Sequence, residues 1–113
     1  MHQQAALAAL SALAQQHRLA LFRLLVRAGP TGLSAGTLAE RLGIVPSALS
    51  FHAARLERAG LVRSWRVGRN ICYGPELDGM RRLLAFLSED CCQGRPELCG
   101  ALAQLAVAGK KRA

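Results

Sequence analysis

The sequence predicts a mainly α-helical fold that carries one small β-hairpin, and three observations lead to this prediction. Apolar residues recur at helical spacing through most of the chain. Ala and Leu dominate the apolar half of the composition, whereas aromatic residues make up only 4%, which favours close-packed helices over a β-sandwich. Residues 61–74 instead alternate apolar and polar side chains around a turn. At 113 residues the chain has the length of one compact domain.

The first two helices are predicted over residues 3–15 and 17–28. Gly29 and Pro30 follow the second helix and are typical of a helix C-terminus. The three arginines of the second helix are expected off its apolar face. That face is expected to hold four residues: Leu19, Phe22, Leu25 and Val26.

Two further helices are predicted to form a helix-turn-helix pattern. Ser34 is expected to begin the first of them, over residues 35–42, and Gly43 to end it. Pro46 begins the second at a first-turn position, where its missing N–H is tolerated, and Gly60 ends it after residue 59. Two helices joined by a few residues around a glycine, the second of them amphipathic, form the helix-turn-helix pattern. The apolar stripe of the second helix is Leu49, Ala53 and Leu56.

A β-hairpin and a last helix complete the predicted fold. Residues 61–66 and 71–74 are expected to pair across a turn at 67–70. A helix-turn-helix followed by a hairpin is a winged helix, and we expect it, with the dimerisation helices, to occupy residues 1–90. The last helix carries an apolar stripe that requires a partner, either the first helix or a second chain. The stripe is Leu77, Met80, Leu83, Leu84 and Leu87.

The charge of the chain indicates a polyanionic partner. The net charge is +8, from 13 Arg and 2 Lys against 7 acidic residues. Between residues 41 and 73 lie six arginines and a single acid, Glu57, and this run coincides with the helix-turn-helix. We therefore favour duplex DNA over an ordinary solvated surface. Base contacts are expected from Ser47, Ser50 and Phe51, and phosphate contacts from Arg55, Arg58, Arg66 and Arg69. His52, Trp65 and Tyr73 are expected to be structural.

Three cysteines lie within nine residues near the C-terminus: Cys91, Cys92 and Cys99. Three thiolates on one short segment can close around a single soft ion. With Cys72 as a fourth ligand, zinc or cadmium would also fit, although a plain strand residue is the favoured interpretation of Cys72. Oxidation of the same thiols is the main competing interpretation. We assign residues 91–113 to a C-terminal inducer-binding segment and tail.

The sequence gives no sign of secretion, which favours a reducing compartment for the cysteines. Residues 5–14 resemble the apolar part of a signal peptide, but no Lys or Arg precedes them and the helical pattern continues. No apolar run approaches the roughly 20 residues that cross a membrane. We expect a cytoplasmic protein without a membrane partner, in which clustered cysteines indicate metal or redox chemistry.

The chain resembles the ArsR/SmtB family of winged-helix metalloregulatory repressors over roughly residues 8–90. The run from Pro46 to His52, followed by Leu56 to Val62, is the strongest part of the resemblance. The chain departs from the family at Val45, where Ser usually caps the helix, and at Ala53, where a larger residue is common. The resemblance implies a homodimeric repressor that pairs through its first and last helices. It also rests on Leu10-Ser11-Ala12-Leu13-Ala14, His17-Arg18-Leu19, the run from Leu33 to Gly43, and Gly68-Arg69-Asn70 with Tyr73.

The resemblance also implies where an inducer binds. The helix before the turn has no cysteine, and the last helix has no histidine, so two inducer sites known in the family are not expected here. The cluster of Cys91, Cys92 and Cys99 resembles the site of members that bind trivalent arsenic or antimony. The expected order of inducers is therefore As(III) or Sb(III), then oxidants, then divalent metals, with no organic cofactor.

Two other classes of protein are less well supported by the sequence. A thiol-dependent enzyme would need a Cys-x-x-Cys motif or comparable machinery, and neither that motif nor a phosphate-binding loop is present. A constitutive DNA-architectural protein would need the basic patch but not the cysteines.

Overall fold

A computed structural model describes residues 1–89 of the chain, which form five helices and a small antiparallel sheet. The winged helix expected from the sequence is confirmed. The order is α1 (Gln3–Leu13), α2 (Gln16–Ala28), β1 (Leu33–Ser34), α3 (Ala35–Leu42), α4 (Pro46–Arg58), β2 (Val62–Val67), β3 (Asn70–Pro75) and α5 (Leu77–Ser88).

The two N-terminal helices pack closely because α1 buries only alanines. Ala6, Ala9 and Ala12 are at most 2% exposed, and a methyl group lets the neighbouring helices approach the α1 backbone. The buried face of α2 differs from the predicted one. It holds Arg18, Leu21, Phe22 and Leu25, whereas Leu19 and Val26 are 46% and 36% exposed. Phe22 and Leu25 are therefore confirmed, whereas Leu19 and Val26 were assigned wrongly, because the arginine was assumed to lie outside the core.

The helix-turn-helix forms where its capping residues predict it. The Ser34 hydroxyl accepts a hydrogen bond from the Thr37 backbone N–H, and Gly43 ends α3 with a left-handed φ of 66°. Pro46 opens α4 without a side-chain cap, because Val45 has no oxygen to offer. Leu49, Ala53 and Leu56 are fully buried, as predicted, and they fix which face of α4 is turned to solvent.

The sheet has three strands rather than the two of the predicted hairpin. β3 lies in the centre, paired antiparallel with β2 and with the two-residue β1. Val67 pairs with Asn70, so the hairpin closes through Gly68 and Arg69, and Gly68 takes a φ of 63°. The strand β1 was missed because two residues carry no detectable alternation.

The helix α5 contacts α1 and lies close to the residues that follow α4. Leu83 is its one buried residue among those described, and Met80 and Phe86 pack partly buried against the core. Leu87 is 51% exposed, so part of the predicted stripe faces solvent in the single chain. Within residues 1–89, no helix has the length and apolar character needed to cross a membrane.

Candidate DNA-binding surface

The solvent face of α4 carries the residues expected to read bases. Leu49, Ala53 and Leu56 anchor the opposite face in the core, so the helical period turns Ser47, Phe51 and Arg58 outward. Phe51 is 54% exposed, although burial of so large an apolar ring is normally favourable. An exposed aromatic ring beside hydroxyl groups, at the N-terminal half of the second helix, is suited to base edges and thymine methyl groups.

Ser50 lies at the side of this face that adjoins the wing. Its side chain forms a hydrogen bond with the buried Tyr73 of β3. Burial raises the pKa of Tyr73, the nearby Glu57 carboxylate raises it further, and the Ser50 hydrogen bond acts in the opposite direction. The phenol therefore stays protonated, and it positions the exposed Ser50 relative to the hairpin.

A second hydroxyl contact joins α4 to the wing. The Ser64 hydroxyl lies 3.0 and 3.1 Å from the two carboxylate oxygens of Glu57 and donates to that group. Glu57 is the only acid between residues 41 and 73, and this contact holds it on the hairpin side of α4. The remaining charge of the surface formed by α4 and the wing is positive.

The wing presents two of the predicted arginines to solvent. Arg66 and Arg69 are both exposed, one on β2 and one in the turn. Arg63 behaves differently: its guanidinium stacks 4.5 Å from the ring centroid of Trp65 and donates to the Pro30 carbonyl at 2.8 Å. Arg63 therefore fastens the wing to the loop after α2, which leaves Arg66 and Arg69 for a partner. Trp65 packs against Gly32 and Gly74, so its predicted structural role is confirmed.

The remaining two predicted arginines line a cleft between α1 and the C-terminal half of α4. The cleft has a volume of about 200 Å³, and its lining includes Arg55, Arg58, Ser11 and Ala12. The described residues form one ion pair, between Arg81 and Asp78, so neither cleft arginine is neutralised by an acid of this part of the chain. Arg58 is exposed and Arg55 is half-buried. Both lie beside the exposed face of α4.

A buried arginine that the sequence did not single out holds α4 against α1 and α2. Arg18 is 8% exposed; its Nε donates to the Ala12 carbonyl at 2.6 Å, and its Nη1 lies 3.2 Å from His52 Nδ1. His52 contacts the ring of Phe51 edge-on, with the centroids 5.4 Å apart. The structural role expected for His52 is confirmed. The only sequence signal for Arg18 was its place within the resemblance to the family.

The predicted inducer ligands Cys91, Cys92 and Cys99 lie outside the described residues. Cys72 lies on the central strand, half-buried and opposite Trp65 and Ser34, as expected of a plain strand residue. Among residues 1–89, no group of three His, Cys, Asp or Glu side chains is close enough to hold a metal ion.

Comparison with known proteins agrees with this geometry. The helix-turn-helix domain family matches residues 13–64, which run from the end of α1 into β2. The nodulation protein NolR of Rhizobium meliloti is 34% identical over 90 residues, covering 78% of this chain and 71% of NolR. The HTH-type transcriptional regulator YgaV of Escherichia coli K12 is 33% identical over 79 residues, covering 70% of this chain and 80% of YgaV.

Among solved structures, an ArsR-like transcriptional regulator from Rhodococcus sp. RHA1 superposes with a TM-score of 0.67. It is 27% identical and covers 91% of this chain and 93% of that chain. The fold and the exposed face of α4 define a DNA-binding winged helix-turn-helix transcriptional regulator. More narrowly, the chain belongs to the ArsR/SmtB-like family of these regulators.

Proposed function

We propose that the protein is a homodimeric repressor that binds a pseudo-palindromic operator and releases it when trivalent arsenic or antimony binds Cys91, Cys92 and Cys99. The observation that carries the DNA-binding part is the face of α4, where an exposed Phe51 and exposed serines adjoin arginines that no described acid neutralises. The exposed ring of Phe51 is unfavourable in water, and the surface as a whole is complementary to a major groove flanked by phosphates.

Each side chain has a distinct role in the proposed complex. Ser47, Ser50 and Phe51 contact base edges, because they occupy the N-terminal half of α4. Arg55 and Arg58 hold phosphates from the cleft beside α1, and Arg66 and Arg69 hold phosphates or the minor groove from the wing. A dimer doubles these contacts and requires half-sites about one helical turn apart.

The dimer is proposed to form through α1 and α5, which contact each other in the single chain. Both helices bury residues on one side and leave large apolar side chains in solvent on the other. Leu7 and Leu10 of α1 are 55% and 39% exposed, and Leu87 of α5 is 51% exposed. Apolar residues that neighbouring helices leave in solvent are typical of a subunit interface.

The inducer part of the proposal rests on the thiols and on the course of α5. Cys91 follows the last residue of α5 by three positions, so a ligand that gathers the cysteines acts at the end of that helix. Trivalent arsenic and antimony are soft and bind three thiolates. The helix α5 packs at Gly79 against the backbone of Gly60, directly after the recognition helix, which gives a displacement of α5 a direct route to α4. The metalloid must bind the DNA-free dimer more tightly, with a coupling of about 1–3 kcal/mol that is reciprocal.

The experiment that tests this function uses the full chain and a duplex selected by it from a random-sequence library. DNA release is followed by fluorescence anisotropy as arsenite, antimonite, zinc, cadmium or peroxide is added. A phosphine reductant keeps the thiols reduced in every measurement except the one with peroxide. Replacing any one of Cys91, Cys92 or Cys99 by Ser should preserve DNA binding and abolish release by arsenite, whereas the matched control Cys72→Ser should release normally. Arsenite release by the triple Ser variant contradicts the inducer site. Release by peroxide alone, or by zinc or cadmium alone, that is lost in the Ser variants assigns the same cysteines to the redox or divalent-metal alternative.

A further inference from the structure

A single buried guanidinium connects the recognition helix α4 with the two N-terminal helices, α1 and α2. The Nε of Arg18, at the start of α2, donates to the Ala12 carbonyl in the last turn of α1. Its Nη1 reaches His52 Nδ1 on α4 at 3.2 Å, and its backbone N–H donates to the Gln15 side chain that caps α2. Arg18 is the only charged residue among those described that is buried. The contacts of Arg18 therefore hold α4 in place by hydrogen bonds in addition to apolar packing.

These contacts fix the protonation state of His52. A guanidinium has only donors and stays charged at physiological pH, so His52 Nδ1 must accept and carries no proton. The surrounding groups reinforce this state. The ring of His17 on α2 lies 5.6 Å from that of His52 between centroids, and Arg55 lies on α4 itself; both disfavour a positive charge on His52. From α1 the nearby polar group is the Ala12 carbonyl, which already accepts from Arg18. A proton on His52 would face a second donor at 3.2 Å with the same charge.

His52 is also the link between this buried contact and the DNA-binding face. It lies between Phe51, which is exposed on that face, and Ala53, which is fully buried. Its ring contacts Phe51 directly. Because Ala53 has only a methyl group, packing at this point restrains rotation of α4 about its axis weakly, and the Arg18 hydrogen bond supplies a directional restraint.

We propose that Arg18 is a positioning residue for sequence recognition: through neutral His52 it sets the rotation of α4 that presents Phe51 and the serines to base edges. Protonation of His52 removes this restraint, so discrimination between operator and random DNA falls in mild acid while phosphate binding persists. The proposal rests on the proposed DNA-binding function but not on the inducer site.

The test compares the affinity for the selected duplex with that for random duplex DNA between pH 8 and pH 5.5, at constant ionic strength. In the wild type the ratio of the two affinities should fall by about tenfold, the loss expected for one hydrogen bond to a charged group. His52→Gln keeps a neutral acceptor that does not titrate, and its ratio should stay constant with pH. The control His17→Gln removes a neighbouring imidazole that disfavours the charged form of His52 but makes no hydrogen bond to Arg18, so the fall should remain and begin at a slightly higher pH.

Arg18→Lys supplies a second readout, because an ammonium cannot reproduce the two differently directed bonds of the guanidinium. The ratio at pH 8 should already be reduced about tenfold, with little further change in acid. Circular dichroism shows whether this variant folds, and if it does not, His52→Gln decides alone. An identical pH profile in wild type and His52→Gln overturns the inference. Equal affinity of the wild type for both duplexes at pH 8 instead overturns the proposed function.

Discussion

Gly79 of α5 lies directly against the backbone carbonyl of Gly60, the residue that turns the chain out of the recognition helix. A Cβ at Gly79 would overlap the Gly60 carbonyl oxygen and approach the Gly60 carbonyl carbon to 3.0 Å. Gly60 itself takes a φ of 80°, and the backbone N–H of Glu76 donates a hydrogen bond to the carbonyl of the neighbouring Leu61 at 2.8 Å. The start of α5 and the end of α4 therefore meet backbone to backbone, and there is no flexible side chain between them to absorb a substitution.

Gly79→Ala should therefore destabilise the fold. The added methyl must push α5 away from Gly60, and overpacking of this kind costs about 1–3 kcal/mol. Urea denaturation followed by circular dichroism measures the effect. The matched control is Gly36→Ala in α3, where an added Cβ meets nothing within 4 Å. The free energy of unfolding of this control should rise by about 0.4–1 kcal/mol, since Ala restricts the unfolded chain and favours a helix. Equal stability changes in the two variants would contradict the close contact at Gly79.

The elements of this fold were predictable where the sequence carries local signals. Ser34 and Gly43 mark the ends of α3, and Pro46 marks the start of α4, because each acts through its own backbone or side chain. The position of Arg18 was not predictable, because its burial depends on a carbonyl six residues before it and on a histidine 34 residues after it. Contacts of that range leave no periodic pattern.

The candidate DNA-binding residues could be predicted for the same reason that the core of α4 could. Once Leu49, Ala53 and Leu56 are assigned to the core, the helical period places Ser47 and Phe51 outside. The hydrogen bond of Ser50 to Tyr73 could not be predicted, because it depends on how the hairpin packs on α4.

Phe51→Ala should reduce operator affinity without reducing stability. The ring is 54% exposed, so its loss leaves the core intact and the stability should change by no more than about 0.5 kcal/mol. A lost base contact should cost about 1–3 kcal/mol on the selected duplex and little on random DNA. Leu56→Ala provides the contrast, since that fully buried side chain should cost about 2–5 kcal/mol of stability. Anisotropy titrations and thermal unfolding of both variants separate the two effects; a large loss of stability in Phe51→Ala would place the ring in the fold instead.

Arg69→Ala should weaken binding to every DNA sequence alike. Arg69 is exposed in the wing turn, where a phosphate contact releases counterions and carries no base information. The slope of log affinity against log salt should become shallower by about 1. Arg82→Ala, which removes an exposed arginine of α5, serves as the charge-matched control and should leave the slope close to that of the wild type. A change in sequence preference in Arg69→Ala would assign the wing a base contact.

The stability of the free protein should fall as the pH drops below about 6.5, in part because of His52. Burial lowers the pKa of His52 below its ordinary value of 6.5, and the charges of Arg18, His17 and Arg55 lower it further. The unfolded chain then binds the proton more readily than the folded one, so this contribution is complete above pH 6.5 and is lost as the pH falls through the folded-state pKa. Chemical denaturation at several pH values should show that the free energy of unfolding depends less on pH in His52→Gln than in the wild type. A wild-type slope in His52→Gln would exclude this histidine as the cause.

The subunit interface predicts that a charge on the exposed side of α5 separates the dimer. Leu87 is 51% exposed in the single chain, and burial of a leucine against a second chain contributes about 1.5–3 kcal/mol. Leu87→Glu loses that contribution and places a carboxylate in an apolar contact, so sedimentation velocity at micromolar concentration should show a dimer for the wild type and a monomer for the variant. Val67→Glu is the matched control, because Val67 is 57% exposed but lies at the tip of the wing. That variant should remain a dimer, since the wing is not part of the proposed interface. A wild-type monomer would refute the dimer itself, and a dimeric Leu87→Glu would place the interface on another face.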